Sequence, residues 1–209
     1  MRWVLGVNGG TTPSVFQTEA WQGRVARWLC AWLLTALLGN ATVSGADQLV
    51  APEYSLKAAY ICNFPEFSVW PEATFATTNS PIILGILGDD PFGPALDKVA
   101  GTRSVNGRSF QIRRLKNLAS IRECHLLFVS LSESKKLPEI FAALNNAPVL
   151  TVSDGERFAE RGGMINLRLD GKKVRFEINL GAAEHANLKF KAQLLKLGTI
   201  VETGPAAVR

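Results

Sequence analysis

Residues 162–197, GGMINLRLDGKKVRFEINLGAAEHANLKFKAQLLKL, are the stretch whose pattern decides the fold. Met164, Ile165, Leu167 and Leu169 form one arm, Asp170-Gly171 marks a turn, and Val174, Phe176 and Ile178 alternate with Arg175, Glu177 and Asn179 in the other. Period-two alternation around an Asp-Gly turn predicts a β-hairpin, because that dipeptide accepts the positive φ angles that match strand twist. From Leu180 the period turns helical, and Phe190, Leu194, Leu195 and Leu197 make a stripe expected to cover the hairpin's inner face. The interleaved polar residues Asn166, Arg175, Glu177 and Asn179 are then expected to point outward.

Upstream, Leu56, Tyr60, Phe64 and Phe67 recur at helical spacing after a short lead, Asp47 to Glu53. Pro65 removes the backbone donor that would bond Ile61, which predicts a kink or stop near Asn63. Pro81 to Gly88, PIILGILG, is a continuous apolar run of the kind found in strands covered on both faces. Further strands are expected at Ser109 to Arg113 after the Asn106-Gly107 turn, at Leu126 to Leu131 and at Val149 to Val152. Helices are expected at Pro94 to Val99, at Glu133 to Leu144 behind a Ser132 cap, and at Gly155 to Glu160. Strands alternating with helices indicate βαβ units with right-handed crossovers. The expected fold is therefore α/β: a single domain with a mainly parallel mixed sheet flanked by helices, and a C-terminal antiparallel hairpin followed by helices.

The first 46 residues read differently. Arg24 and Arg27 precede an unbroken apolar run, Trp28 to Leu38, and small residues follow through Ser44-Gly45-Ala46. That order is the pattern of a secretory signal peptide, with cleavage expected after Ala46, leaving residues 47–209 as the domain in the periplasm. Arg2, Arg24, Arg27 and Glu19 depart with the signal, so 23 basic and 18 acidic residues become 20 and 17, a formal charge of +3. This balance does not support nucleic-acid binding. Cys30 leaves as well, and Cys62 and Cys124 remain in a compartment where disulfides persist. They are a candidate disulfide or two buried thiols.

No catalytic constellation accompanies the predicted fold. The two histidines, His125 and His185, sit in no nucleophile motif, and Cys62, Cys124, His125 and His185 lack zinc-motif spacing. No metal and no cofactor are expected, and the chain is read as a non-enzyme. The loop Asp89-Asp90-Pro91-Phe92-Gly93 stands at the carboxyl end of a strand, where open α/β sheets bind ligands. Asp89, Asp90 and Phe92 are thus the candidate residues of an alternative reading, a periplasmic small-molecule sensor of unknown ligand.

Six segments in order are similar to the YfiR/HmsC family: YSLKAAYICNFPEFSVWP from Tyr54, ILGDDPFG from Ile86, CHLLFVS from Cys124, LTVSD from Leu150, GGMINL from Gly162, and RFEINLGAA with LLKLG through Gly198. The resemblance implies a periplasmic α/β protein, often a homodimer, that represses an inner-membrane diguanylate cyclase by contacting its periplasmic region. Loss of such a repressor raises cyclic di-GMP and biofilm formation. The resemblance also implies partner contacts along the Phe-Glu-x-Asn-Leu strand and the helix after it, which fall here on Phe176, Glu177, Asn179 and Leu180. Some members pair a cysteine in the strand corresponding to Pro81 to Gly88 with the one at Cys124. This chain has none in that strand, and Cys62 is the remaining partner.

Overall fold

The computed structural model describes residues 47–203, so the expected signal peptide and its expected cleavage after Ala46 lie outside the described residues. Helix α1 spans Asp47–Asn63 and passes directly into a 3-10 turn, Phe64–Phe67, with Pro65 in its first positions. The missing proline donor explains why α1 stops at Asn63. The expected lead from Asp47 to Glu53 is instead helical. The buried face of α1 is Lys57, Ala58, Ile61 and Cys62, while Leu56 of the expected stripe is exposed.

Two-residue strand β1 (Ser68–Val69) follows, then β2 (Ile82–Leu87) and α2 (Pro94–Gly101). Strands β3 (Ser104–Val105) and β4 (Arg108–Leu115) flank Asn106-Gly107. Both turn residues have positive φ, 51° and 78°, as a type I′ hairpin requires. Strand β5 (Leu126–Val129) leads through a 3-10 segment, Leu131–Lys136, into α3 (Leu137–Leu144). The cap of that 3-10 segment is Ser130, whose hydroxyl accepts from the Ser132 amide, rather than Ser132 itself. Strand β6 (Leu150–Ser153) is followed by turns where a helix over 155–160 was expected. The hairpin strands are β7 (Ile165–Asp170) and β8 (Lys173–Asn179).

The chain after the hairpin departs from a single helix. It forms α4 (Leu180–His185), β9 (Lys189–Phe190), α5 (Ala192–Leu195) and β10 (Thr199–Val201). Asn187, at φ 55°, takes the left-handed turn that breaks the helical run, and β9 pairs antiparallel with β1. The hairpin loop is also shifted by one residue. Asp170 pairs with Lys173, so the loop is Gly171-Lys172, and Gly171 alone has positive φ, 60°, the type II′ arrangement.

The main sheet has eight strands in the order β10-β8-β7-β6-β5-β2-β4-β3. Neighbours from β4 to β7 are parallel, β7 and β8 are antiparallel, and β10 runs parallel to β8. The hairpin is therefore interior to the sheet, and β10 occupies the edge beside it. Alternation divides the core into two clusters. Leu84, Ile86, Leu126, Phe128, Leu150 and Val152 join α1 and α2 in one, while Leu87, Leu127 and Val129 join Leu137, Ile140 and Leu144 of α3 in the other. A sheet covered on both faces explains why its central strands are apolar throughout.

Candidate functional site

The residues that the resemblance singles out lie together on β8 and the start of α4, but most of them face inward. Phe176 is buried in an edge-on contact with Phe64, with ring centroids 5.4 Å apart. Glu177 is buried as well, and its carboxylate accepts from Asn166 Nδ2 at 3.0 Å and from the Arg168 guanidinium of the neighbouring strand. Register explains this: Glu177 stands opposite Asn166 across the antiparallel pair. Asn179 is only 1% exposed. Its Oδ1 caps α4 by accepting from the Ala182 amide at 2.9 Å, and its Nδ2 donates to Ala159 O at 2.7 Å and Thr203 Oγ1 at 2.8 Å. Leu180 begins α4 half-buried against the core. The expectation that Glu177 and Asn179 project outward is thus corrected; each satisfies polar partners inside the fold.

What stands exposed beside this strand is a rim. Leu169 (47% exposed), Leu197 (68%) and Ile200 (53%) lie on β7, the turn after α5 and β10. A cleft of about 360 Å³ runs between Leu169 and Leu197, lined also by Arg168, Asp170, Arg175, Phe176, Glu177 and Gly198. Gly198 permits the close approach, since a Cβ there would stand 2.6 Å from the Phe176 ring.

The loop Asp89 to Gly93 is occupied by its own chain. Asp90 Oδ1 accepts from the Phe92 and Gly93 amides at 2.8 and 3.2 Å, and Oδ2 accepts from Arg114 Nε at 2.8 Å. The Phe92 ring is buried edge-on between Tyr54 and Phe128. Asp89 N donates to Ser132 Oγ at 3.0 Å, and a Cβ at Gly88 would collide with the same hydroxyl. The strand order reverses between β2 and β5, so this is the crevice where α/β sheets take ligands. Here the Ser132 hydroxyl holds the Asp89 amide, Asp90 is bonded within its own loop and to Arg114, and the Phe92 ring packs into the core.

A second cleft of about 500 Å³ opens beyond the carboxyl ends of β5 and β6, between α1 and β7. Its organising group is Asp154, which immediately follows β6. Asp154 Oδ2 accepts from Lys57 Nζ at 2.7 Å and from the Tyr54 hydroxyl at 2.9 Å. Lys57 also pairs with Glu53 one turn earlier and lies 4.5 Å from the centre of the Tyr54 ring. Burial, and then the Asp154 carboxylate, push the Tyr54 phenol above its usual range. The sequence carried a signal for this cluster: Tyr54, Lys57, Ala58 and Ile61 share one helical face, which sets a charge among apolar residues. Such a lysine needs a buried acid, and Asp154 closing an apolar strand supplies it.

Cys62 and Cys124 are both free and buried. Cys62 belongs to the cluster under α1 and Cys124 to the cluster under α3, so the sheet separates them and the pairing left open by the sequence is not formed. Burial pushes each thiol up to about 11. His125 is buried with Nδ1 accepting from the Ile83 amide at 2.9 Å, and its ring stacks on Phe75 at 4.4 Å. Among the described residues no group of His, Cys, Asp and Glu could hold a metal ion, and no helix is long and apolar enough to cross a membrane.

Among solved structures, a conserved domain protein from Vibrio cholerae O1 biovar El Tor is similar at 13% identity with a TM-score of 0.44, covering 57% of this chain and 54% of that one. The chain thus spans about half the length of that protein. From residue 54 to residue 199, which takes in α1 beyond its first turns, the whole strand series through the hairpin, and the first residue of β10, the sequence matches the family described as YfiR/HmsC-like, and the chain belongs to that family.

Proposed function

We propose that this chain is a periplasmic regulatory protein that represses a membrane-bound diguanylate cyclase by contact with the enzyme's periplasmic region, and so lowers cyclic di-GMP and biofilm formation. Membership of the YfiR/HmsC-like family over residues 54–199 carries the reading, since regulation of diguanylate cyclase signalling is what that family is associated with.

The geometry supports a particular contact surface. Phe176, Glu177 and Asn179 are committed to the interior, so their contribution is to hold β7, β8 and β10 in register. The contact itself falls to the rim they support, where Leu169, Leu197 and Ile200 leave apolar area in water beside Arg168 and Arg175. Exposed apolar side chains grouped with arginine match the composition of protein interfaces.

A photo-crosslinking side chain placed at Leu169 or Leu197 in the exported protein tests this. The expected product joins the chain to an inner-membrane protein that carries a cyclase domain. Placement at Lys116, on the distant β4 side of the sheet, is the control. Capture from Lys116 with none from the two leucines contradicts the proposed surface.

A further inference from the structure

The cleft beside Asp154 has a chemical character that regulation by protein contact does not use. Asp154 Oδ1 and Asn166 Oδ1 are buried with no hydrogen-bond partner among the described residues, and both residues line this cleft. The Asp154 side chain is 4% exposed, and Asn166 is 1% exposed. The Asn166 orientation is fixed, because its Nδ2 already donates to Glu177. Two orphaned acceptors at one cleft are costly for a native fold, and both ask for donors.

Charge points the same way. The lining holds Lys57, Arg157 and Arg168, and each is already paired: Lys57 with Glu53 and Asp154, Arg157 with Glu160, Arg168 with Glu177. Five carboxylates face three cations, and Glu156 at the exposed rim has no ion-pair partner among the described residues. An anion entering here meets surplus negative charge and acceptors with nothing to accept. The volume, about 500 Å³, lies within the ~300–1,000 Å³ range of small-molecule sites. Tyr54, Leu131 and Leu167 supply apolar wall for a short carbon chain.

We infer that this cleft binds a small organic cation bearing a primary ammonium or guanidinium group, whose charge is held by Asp154 and Glu156 and whose entry parts the lining side chains so that its N–H donors reach the Asp154 and Asn166 acceptors, which are closed to solvent in the unliganded fold. The site adjoins the rim proposed for protein contact and shares Arg168, Leu169 and Glu177 with it, but the inference is argued from the cleft's own acceptors and charge and does not depend on the cyclase reading.

Calorimetric titration and thermal unfolding of the purified protein at low salt test it, with agmatine and putrescine as probes and glutarate as the anionic control. Saturable binding of at least one cation below ~10 mM is expected, with a raised unfolding temperature; glutarate is expected to leave both readouts unchanged. Asp154→Asn is expected to weaken cation binding by at least about tenfold, and Glu156→Lys by about fivefold. Glu156 is exposed and outside the core, so its variant reports even where Asp154→Asn fails to fold. Absence of saturation by both cations, equal binding of glutarate, or affinity unchanged in Glu156→Lys overturns the inference. None of these outcomes alters cyclic di-GMP in the cell, so failure here is distinguishable from failure of the regulatory reading.

Discussion

Glu177 binds both of its neighbours from within the sheet, and a buried carboxylate in that position has consequences for how its substitution is read. Reversal to lysine sets a cation against Arg168 and against the donor of Asn166. Glu177→Lys is therefore expected to lose about 3–5 kcal/mol of stability, measured by urea unfolding; a loss under about 0.5 kcal/mol, the range of surface substitutions, would contradict the buried assignment. A regulatory phenotype of that variant would report unfolding rather than a lost contact. His125 gives a pH signature. Burial lowers its pKa, so the unfolded chain binds the proton more readily than the folded one. Stability from this group is complete above the unfolded value of about 6.5 and is lost as pH falls below it, by at most about 1.4 kcal/mol per pH unit. Between pH 7.5 and 5.5 the wild type is expected to lose more stability than His125→Gln, whose amide oxygen can still accept from Ile83; equal losses would contradict this role. For the cysteines, thiols raised to about 11 and lying in separate cores predict no reaction with a thiol reagent at pH 8 in the folded protein. After denaturation of the chain without Cys30, two reactive thiols are expected, and a single disulfide with none would contradict the separation.

At the scale of elements, the pattern of the sequence was legible wherever a local rule governs. The Pro65 stop, the Asn106-Gly107 hairpin, the apolar run of β2 and the β7–β8 pair all follow from proline chemistry, turn chemistry or periodicity, and each stands in the structure. The failures were non-local. Leu180 to Leu197 looked helical because Phe190, Leu194 and Leu197 recur at four and three, yet the left-handed Asn187 and the pairing of β9 with β1 divide it. No periodicity in this stretch could reveal β1, which lies more than a hundred residues earlier. Edge status was likewise invisible, since β10 is three residues long and gains its place only by pairing with β8. Burial of Glu177 and Asn179 was equally non-local: Glu177 meets Asn166 and Arg168 of β7, and Asn179 meets Ala159 and Thr203, while Arg175 of the same strand stays exposed. Asn179 joins three elements, which makes it a sensitive probe. Asn179→Ala removes the cap of α4 and leaves Ala159 O without that donor, an expected cost of about 2–3 kcal/mol, readable as a lower urea midpoint. Asn179→Asp keeps the cap but sets a buried carboxylate oxygen against Ala159 O, and is expected to destabilise at least as much as alanine.

For the whole molecule, the fold divides its labour across the sheet. At the reversal of strand order Phe92 is buried and Ser132 holds the Asp89 amide, the cleft beyond β6 carries orphaned acceptors and surplus negative charge, and the rim at β7 and β10 exposes leucine and isoleucine. The family was legible from short segments spread along the chain, which the match over residues 54–199 bears out. Regulation by contact predicts that the rim can be damaged without harming the core. Leu169→Asp with Leu197→Asp is expected to leave the unfolding transition within about 1 kcal/mol of wild type, since both side chains already stand in water, yet to behave as a loss of the protein in the cell. The most direct test is the cellular concentration of cyclic di-GMP in a clean deletion, complemented by the wild type or by this double variant. The account predicts a rise on deletion, reversed by the wild type and not by the variant; an unchanged concentration in the deletion would contradict it.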